Sequence, residues 1–450
     1  MCTENFAMRV GYGKKEITPP MGHPIAGYFA PRHTKGVIDP LFARATMFDN
    51  GKEKAMIIAL DTIYLAYSIG LTIREKIAAQ LGMDVNAIII NCSHTHTGPS
   101  VIPNDENESY IAFLREQAVE AAIEASKDLC DAKLFYAKTE AKGISFIRRY
   151  LLKDGTVKTN PGKFVDQLVR PIGEANNGLY LLKMVREGAD DIYMFCFGTH
   201  ADTTSGEQIS ADWPGFACSI LERAIPGSKA MFILGPEGDV NHYNFLAPNR
   251  GRPVTEHITD PIEKQTAHAR YMGRVIAGEL LSVCDKAAEV VGNEISFGAQ
   301  EVVLGVNKPT GITPEMFAEA QKVIDTFNEW NANPGDRPRP VTVKSVLAAR
   351  RILNAPTLPD SESFYVHGMK IGDFVIATMP GEPFTELGRR IYNGVAAEKM
   401  MVLCNTNGTC GYIPTKDCFD DGGYESNSSR FICGSDDRLV DGAIAVAKAL

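Results

Sequence analysis

Three short apolar runs in this sequence pass directly into turns that carry a histidine or a carboxylate. The run over 87–92, rich in β-branched residues, leads into Ser93-His94-Thr95-His96-Thr97-Gly98-Pro99. Another over 194–199 ends at His200, and a third over 374–378 is followed by Met379-Pro380-Gly381-Glu382-Pro383. Runs of this length and composition read as strands buried on both faces, which belong to sheets covered by helices. Ligand sites in open α/β sheets lie at the carboxyl ends of such strands. The chain is thereby constrained to a covered sheet with its chemistry gathered at one edge.

The remaining pattern agrees. Phe48-Asp49-Asn50-Gly51 reads as a hairpin turn between strands over 44–48 and 54–60. Further strands are expected over 178–185, 191–198, 230–234, 364–369 and 401–405. Helical periodicity is expected over 69–81, 107–129, 213–225, 268–288 and 317–327, from Pro383 onward, and over 440–449. The stretch 331–340, rich in Asn, Pro and Gly, reads as a surface loop or lid. Alternating strands and helices with interspersed hairpins predict an α/β protein with a mixed β-sheet core and flanking helices. No repeat of 20–50 residues occurs and no linker divides the chain, so one domain over 1–450 is expected.

A net charge of −9 and a pI near 5.6 argue against nucleic acid as a partner, since phosphate binding requires clustered positive charge. The most apolar stretch, 56–67, is shorter than the ~20 residues of a spanning helix and contains Asp61. Residues 1–6 lack a basic region followed by an apolar core, so no export signal is expected. The 10 cysteines include no CxxC pair, and several lie in apolar runs typical of buried thiols. A reducing, cytoplasmic setting is the simplest expectation.

If the strand over 87–92 continued through Ser93, alternation would set His94 and His96 on one face. Imidazole is the usual zinc ligand among titratable side chains, and His200 repeats the arrangement at a second strand exit. Glu382 is expected at the cap of the helix begun by Pro383. Each of these residues alone has a plainer reading, as a polar loop histidine or a capping carboxylate. Two histidines and one carboxylate with an open position, however, form a familiar catalytic zinc set. Gly235-Pro236-Glu237-Gly238-Asp239 would let backbone approach a ligand closely, with no phosphate-binding motif present. Either Arg148 or Arg149 could supply a positive donor, and Asp202 or Asp212 could orient ligands.

Taken together these pieces resemble the neutral/alkaline ceramidase family in its catalytic N-terminal domain. The resemblance rests on Gly11 with Glu16-Ile17-Thr18, Gly27-Tyr28, Arg44-Ala45, residues 93–99, and His200 with Ile209-Ser210-Ala211-Asp212. Gly238-Asp239-Val240 and Pro380-Gly381-Glu382 through Gly388-Arg389-Arg390 complete it, in family order over about residues 8–430. The resemblance implies a Zn2+ site with His94, His200, Glu382 and a tyrosine as ligands. The family carries two tyrosines twelve residues apart after the glutamate, and Tyr412 and Tyr424 have that spacing. Tyr412 would be the fourth ligand and Tyr424 an oxyanion donor, a role shared by His96 and Arg149.

The sequence also departs from the family. Asn241 stands where the family motif has serine, which removes any serine nucleophile there. With the sequence ending at Leu450, the family's C-terminal β-sandwich is not expected within it. The implied function is zinc-dependent hydrolysis of a linear amide by activated water, with ceramide or a related N-acyl lipid as substrate. The same chemistry on a small soluble amide or ester is the alternative, and a non-catalytic metal- or ligand-binding relative is a further one.

Overall fold

Side chains alternate along nearly every long strand, and this sorts the core into layers. The computed structural model describes residues 8–332 and 338–450. Its principal sheet contains β1 (Arg9–Glu16), β2 (Phe42–Asp49), β3 (Lys54–Leu60), β4 (Ile88–Cys92), β5 (Cys130–Glu140), β6 (Gly178–Arg186), β7 (Asp191–Phe197) and β8 (Ser228–Leu234). The order across it is β8-β7-β6-β5-β1-β2-β3-β4, parallel in the outermost pair at each edge and antiparallel between. A second sheet runs β9 (Ile295–Gly305), β10 (Ser361–Ile371), β11 (Phe374–Thr378), β12 (Lys399–Leu403), its last pair parallel.

Ile58 and Ile90 face α1 (Tyr67–Leu81) and α2 (Glu108–Lys127), whereas their neighbours Ile57 and Ile89 face the second sheet. Leu181, Phe195 and Leu234 likewise pack on α3 (Asp212–Ala224) and α4 (Pro261–Val283). Met194 and Met231 point the other way, into the interface with Met369, Ile376 and Met401. Helices α5 (Pro314–Ala332) and α6 (Val343–Asn354) pack on each other. The far face of the second sheet, with Val366 and Val402, is covered by α7 (Thr385–Val395) and α8 (Ser435–Lys448). The result is helix, sheet, sheet, helix: the expected mixed α/β class, built from two stacked sheets. Helix α2 sits so close to β1 that a Cβ at Gly11 would lie 2.0 Å from Ala125 O, and at Gly13 2.0 Å from Ala121 O.

The strands that were expected hold within a few residues, β1, β5 and β9 were not foreseen, and three differences concern helices. Helix α4 starts at Pro261, earlier than expected, because Asp260 caps it by accepting from Glu263 N at 2.7 Å and proline fits the first turn. Helix α6 was not foreseen, since it buries only Val346 and Ala349. Asn331 and Ala332 are helical where a loop was expected, while 333–337, like the segment 1–6, lie outside the described residues.

Asn91 joins the strand ends. Its Nδ2 donates to Cys404 O at 2.7 Å and Leu234 O at 3.3 Å, and its Oδ1 accepts from Leu234 N at 2.7 Å. One buried carboxamide thus brings the carboxyl ends of β4, β8 and β12 together, and the turns that follow them converge.

Candidate metal centre

The turn after β4 does not continue the strand. His94 adopts φ +63°, so His94 and His96 meet through a left-handed residue and not by strand alternation. A bridge between Thr95 and Ala201, with His96 N donating to Ala201 O at 3.0 Å, ties this turn to the one carrying His200. His94 Nδ1 lies 2.8 Å from Ile63 O, a contact that leaves Nε2 as the free nitrogen. Trp213 Nε1 holds His200 O at 3.1 Å, and Asp212 accepts from Thr203 N and Thr204 N, both at 2.8 Å, shaping the turn beyond. Asp202 instead accepts from Tyr28 and lies 3.9 Å from His96 Nδ1.

Glu382 is not a helix cap. Phe384 occupies that position ahead of α7, and Glu382-Pro383 pair in parallel with Tyr412-Ile413. The pairing wins because Glu382 N donates to Gly411 O at 2.9 Å and Phe384 N to Ile413 O at 3.1 Å. Glu382 and Tyr412 are therefore neighbours in register.

The donor atoms converge. His94 Nε2 is 3.4 Å and His200 Nε2 is 3.7 Å from Glu382 Oε2, and Tyr412 Oη is 3.4 Å from His200 Nε2. Four ligands at zinc bond lengths of ~2.0–2.1 Å in a tetrahedron stand ~3.3–3.4 Å apart, so these spacings fit one ion. Glu382 Oε2 is buried with no hydrogen-bond partner, as a ligand oxygen awaiting a cation would be. His96 Nε2 lies 3.3 Å from His94 Nε2, and the buried residues form two overlapping groups that could hold an ion, His94 with His96 and His200, and His94 and His200 with Glu237 and Glu382. Burial lowers the pKa of His94 and carries those of His96 and His200 well below the ordinary histidine value, which keeps the imidazoles neutral and their lone pairs available. Burial raises the phenol of Tyr412 well above its usual value, and that of Tyr424 less far.

Of the adjacent arginines, Arg148 is the one brought to the centre. Its Nη2 donates to Gly238 O at 2.9 Å and its Nε to Glu425 Oε1 at 2.7 Å, while its Nη1 stands 3.0 Å from His200 Nε2, whose lone pair a bound ion would take instead. The guanidinium carbon lies 5.2 Å and 5.9 Å from the ring centres of Tyr412 and Tyr424. Arg149, expected as an oxyanion donor, turns to Asp421 at 3.4 Å, Gly422 O at 3.3 Å and the Phe384 ring. Consecutive extended residues point to opposite sides, so only one of the pair can face the centre.

Sequence reasoning also missed Glu237. Its carboxylate is fully buried against His200 Nδ1, and burial, followed by the charge of Glu382, raises its pKa well above the usual range. Asn241 is held away from the centre, donating to Asn160 and accepting from Tyr243 N at 2.9 Å. A cavity of about 570 Å³ opens over the cluster. Its floor includes His94, His96, Glu382, Tyr412 and Tyr424, its walls Ile25, Phe29, Ile63 and Ile102, and its lining also Arg32, His33, Glu106 and Arg350. Among the described residues, no helix is long and apolar enough to cross a membrane.

This fold is shared with solved structures. The chain is similar to neutral ceramidase from Pseudomonas aeruginosa, with 17% identity and a TM-score of 0.73 over 99% of this chain and 75% of that one. A ceramidase complexed with C2 gives 16% identity, the same TM-score of 0.73, and the same coverage of 99% and 75%. No protein-family model and no curated protein matches the sequence. The mixed α/β architecture is that of the neutral ceramidase fold.

Proposed function

We propose that this protein is a zinc-dependent hydrolase of linear amides, acting on N-acyl amines of which ceramide is the lipid example. The observation that carries the reading is the meeting of His94 Nε2, His200 Nε2, Glu382 Oε2 and Tyr412 Oη beside a cavity that His94, Glu382 and Tyr412 line. When bound, zinc supplies Lewis-acid polarisation of a carbonyl and a source of hydroxide at neutral pH.

The chain's own groups account for the rest. Attack on the amide carbon places negative charge on its oxygen, and a donor aimed there contributes roughly 3–4 kcal/mol. Tyr424, which lines the cavity, is the donor beside that position, and Arg148, its guanidinium carbon 5.9 Å from the Tyr424 ring centre, adds positive charge behind it. His96, held neutral by burial, takes the proton of the attacking water at Nε2 and returns it to the departing amine. The apolar walls exclude water around the acyl chain.

The second reading, a small soluble amide, is favoured by the charged groups Arg32, His33, Glu106 and Arg350 in the cavity lining. Metal analysis together with N-acyl amines of graded chain length tests both. Rates that climb into long chains support the lipid, and rates that peak at short polar acyl groups support the soluble substrate. His94→Ala is expected to lose stoichiometric zinc together with amide hydrolysis, and retention of both would end the proposal.

A further inference from the structure

The two histidines assigned to the metal are supported differently from behind. His94 Nδ1 rests on the neutral carbonyl of Ile63, at 2.8 Å. His200 Nδ1 rests on the carboxylate of Glu237. Glu237 is 0% exposed, and neither of its oxygens has a hydrogen-bond partner, the contact with His200 Nδ1 lacking hydrogen-bond geometry. The nearby guanidinium of Arg148 is committed to Glu425 and Gly238 O. A buried carboxylate with so little support costs stability, which points to a role at the metal centre it adjoins.

We infer that Glu237 is a positioning residue that holds His200 with its proton on Nδ1 and its Nε2 lone pair turned to the ion. Nδ1 and Nε2 lie on separate edges of the imidazole, so an oxygen set against Nδ1 leaves Nε2 to the ion, although the Glu237 carboxylate also comes within 4.8 Å of the donor atoms of His94, His200 and Glu382. A carboxylate placed there also raises the donor strength of the imidazole, as such partners do for metal-bound histidines generally. The loop supports the arrangement. Gly238 N donates to Pro383 O at 2.9 Å, and a Cβ on Gly238 would fall 2.3 Å from Glu382 O. The turn presenting Glu237 is thus locked to the backbone presenting Glu382. This inference rests on the metal site proposed above, and not on its substrate.

The test uses the full chain freed of metal, with Zn2+ affinity read by competition against a chromophoric chelator and apo-protein melting read separately. Glu237→Leu should weaken Zn2+ binding 10- to 100-fold while leaving the apo-protein melting temperature equal or higher, because a buried carboxyl group without hydrogen-bond partners is removed. Glu237→Gln, which still accepts from Nδ1 but carries no charge, should fall between Glu237→Leu and the unaltered chain. With Co2+ as probe, the visible bands should shift in Glu237→Gln without a change of coordination number. Affinity within twofold of the unaltered chain in both variants would overturn the role, as would a lower apo melting temperature with affinity kept. A changed Co2+ coordination number would make Glu237 a ligand and also overturn it. An unaltered chain that binds Zn2+ but cleaves no amide would defeat the proposed reaction and leave this inference standing.

Discussion

Glu382 and Tyr412 lie side by side in a two-residue parallel pairing, although thirty positions separate them in the chain. Registered residues of paired strands project to the same side, so the carboxylate and the phenol reach the cluster from one rigid support. Tyr424 approaches the Tyr412 ring edge-on, with centroids 5.5 Å apart and planes at 71°.

The two tyrosines should therefore fail differently. Tyr412→Phe is expected to weaken zinc binding, whereas Tyr424→Phe should keep zinc and lose about 10²–10³ in kcat, the usual effect of removing one oxyanion donor. Metal content and turnover measured on both variants decide this, and zinc loss in Tyr424→Phe alone would mean the roles are exchanged.

Arg148 and Arg149 offer a sharper comparison, because they are adjacent and chemically identical. Arg148→Met should depress kcat at least about tenfold more than Arg149→Met, given that only Arg148 reaches His200 and the tyrosine pair. Steady-state kinetics on the two proteins, with folding checked by circular dichroism, would refute the placement if the order reversed.

Gly238 has no room for a side chain: a Cβ there would lie 2.3 Å from Glu382 O and 3.1 Å from Pro383 C. Gly238→Ala is expected to destabilise the fold by about 1–3 kcal/mol, as overpacking against backbone does, and to weaken zinc binding through the displaced Glu382. Denaturant unfolding and metal titration that both match the unaltered chain would count against this coupling.

His367 sets an acid limit outside the metal centre. It is buried with its Nε2 3.0 Å from Arg74 Nη2, and burial, aided by the Arg74 charge, lowers its pKa to about 3. The unfolded chain accepts this proton near ~6.5, so below that pH it binds more protons than the folded state. Stability should fall as pH drops from about 6.5 towards 3, by up to ~1.4 kcal/mol per unit from this group. His367→Gln should show a shallower loss in urea titrations across that window, and parallel curves for the two proteins would refute the assignment.

Local pattern was sufficient for most of the scaffold. Within the run over 87–92, Ile88–Cys92 is a strand with every residue buried, and Asn50-Gly51 does join two strands. Helix α6 escaped because its apolar stripe is thin, and Glu382 was misread as a cap because proline so often opens a helix. His94 and His96 were rightly placed together for a wrong reason, since the left-handed backbone at His94 has no signature in residue type. Choosing between Arg148 and Arg149 required the side of an extended segment to be known, which depends on the pairing of Ile147 with Val240.

The sequence by itself determined the strand-and-helix alternation, the burial of the strands and the appearance of histidine and glutamate at their exits. These follow from side-chain periodicity and turn chemistry within windows of a few residues. Only the tertiary structure decided that Asn91 gathers three strand ends, that Glu382 pairs with Tyr412, and that Glu237 stands behind His200. Those contacts join segments far apart in the chain, and their geometry is set by the stacking of two sheets, which no local window encodes.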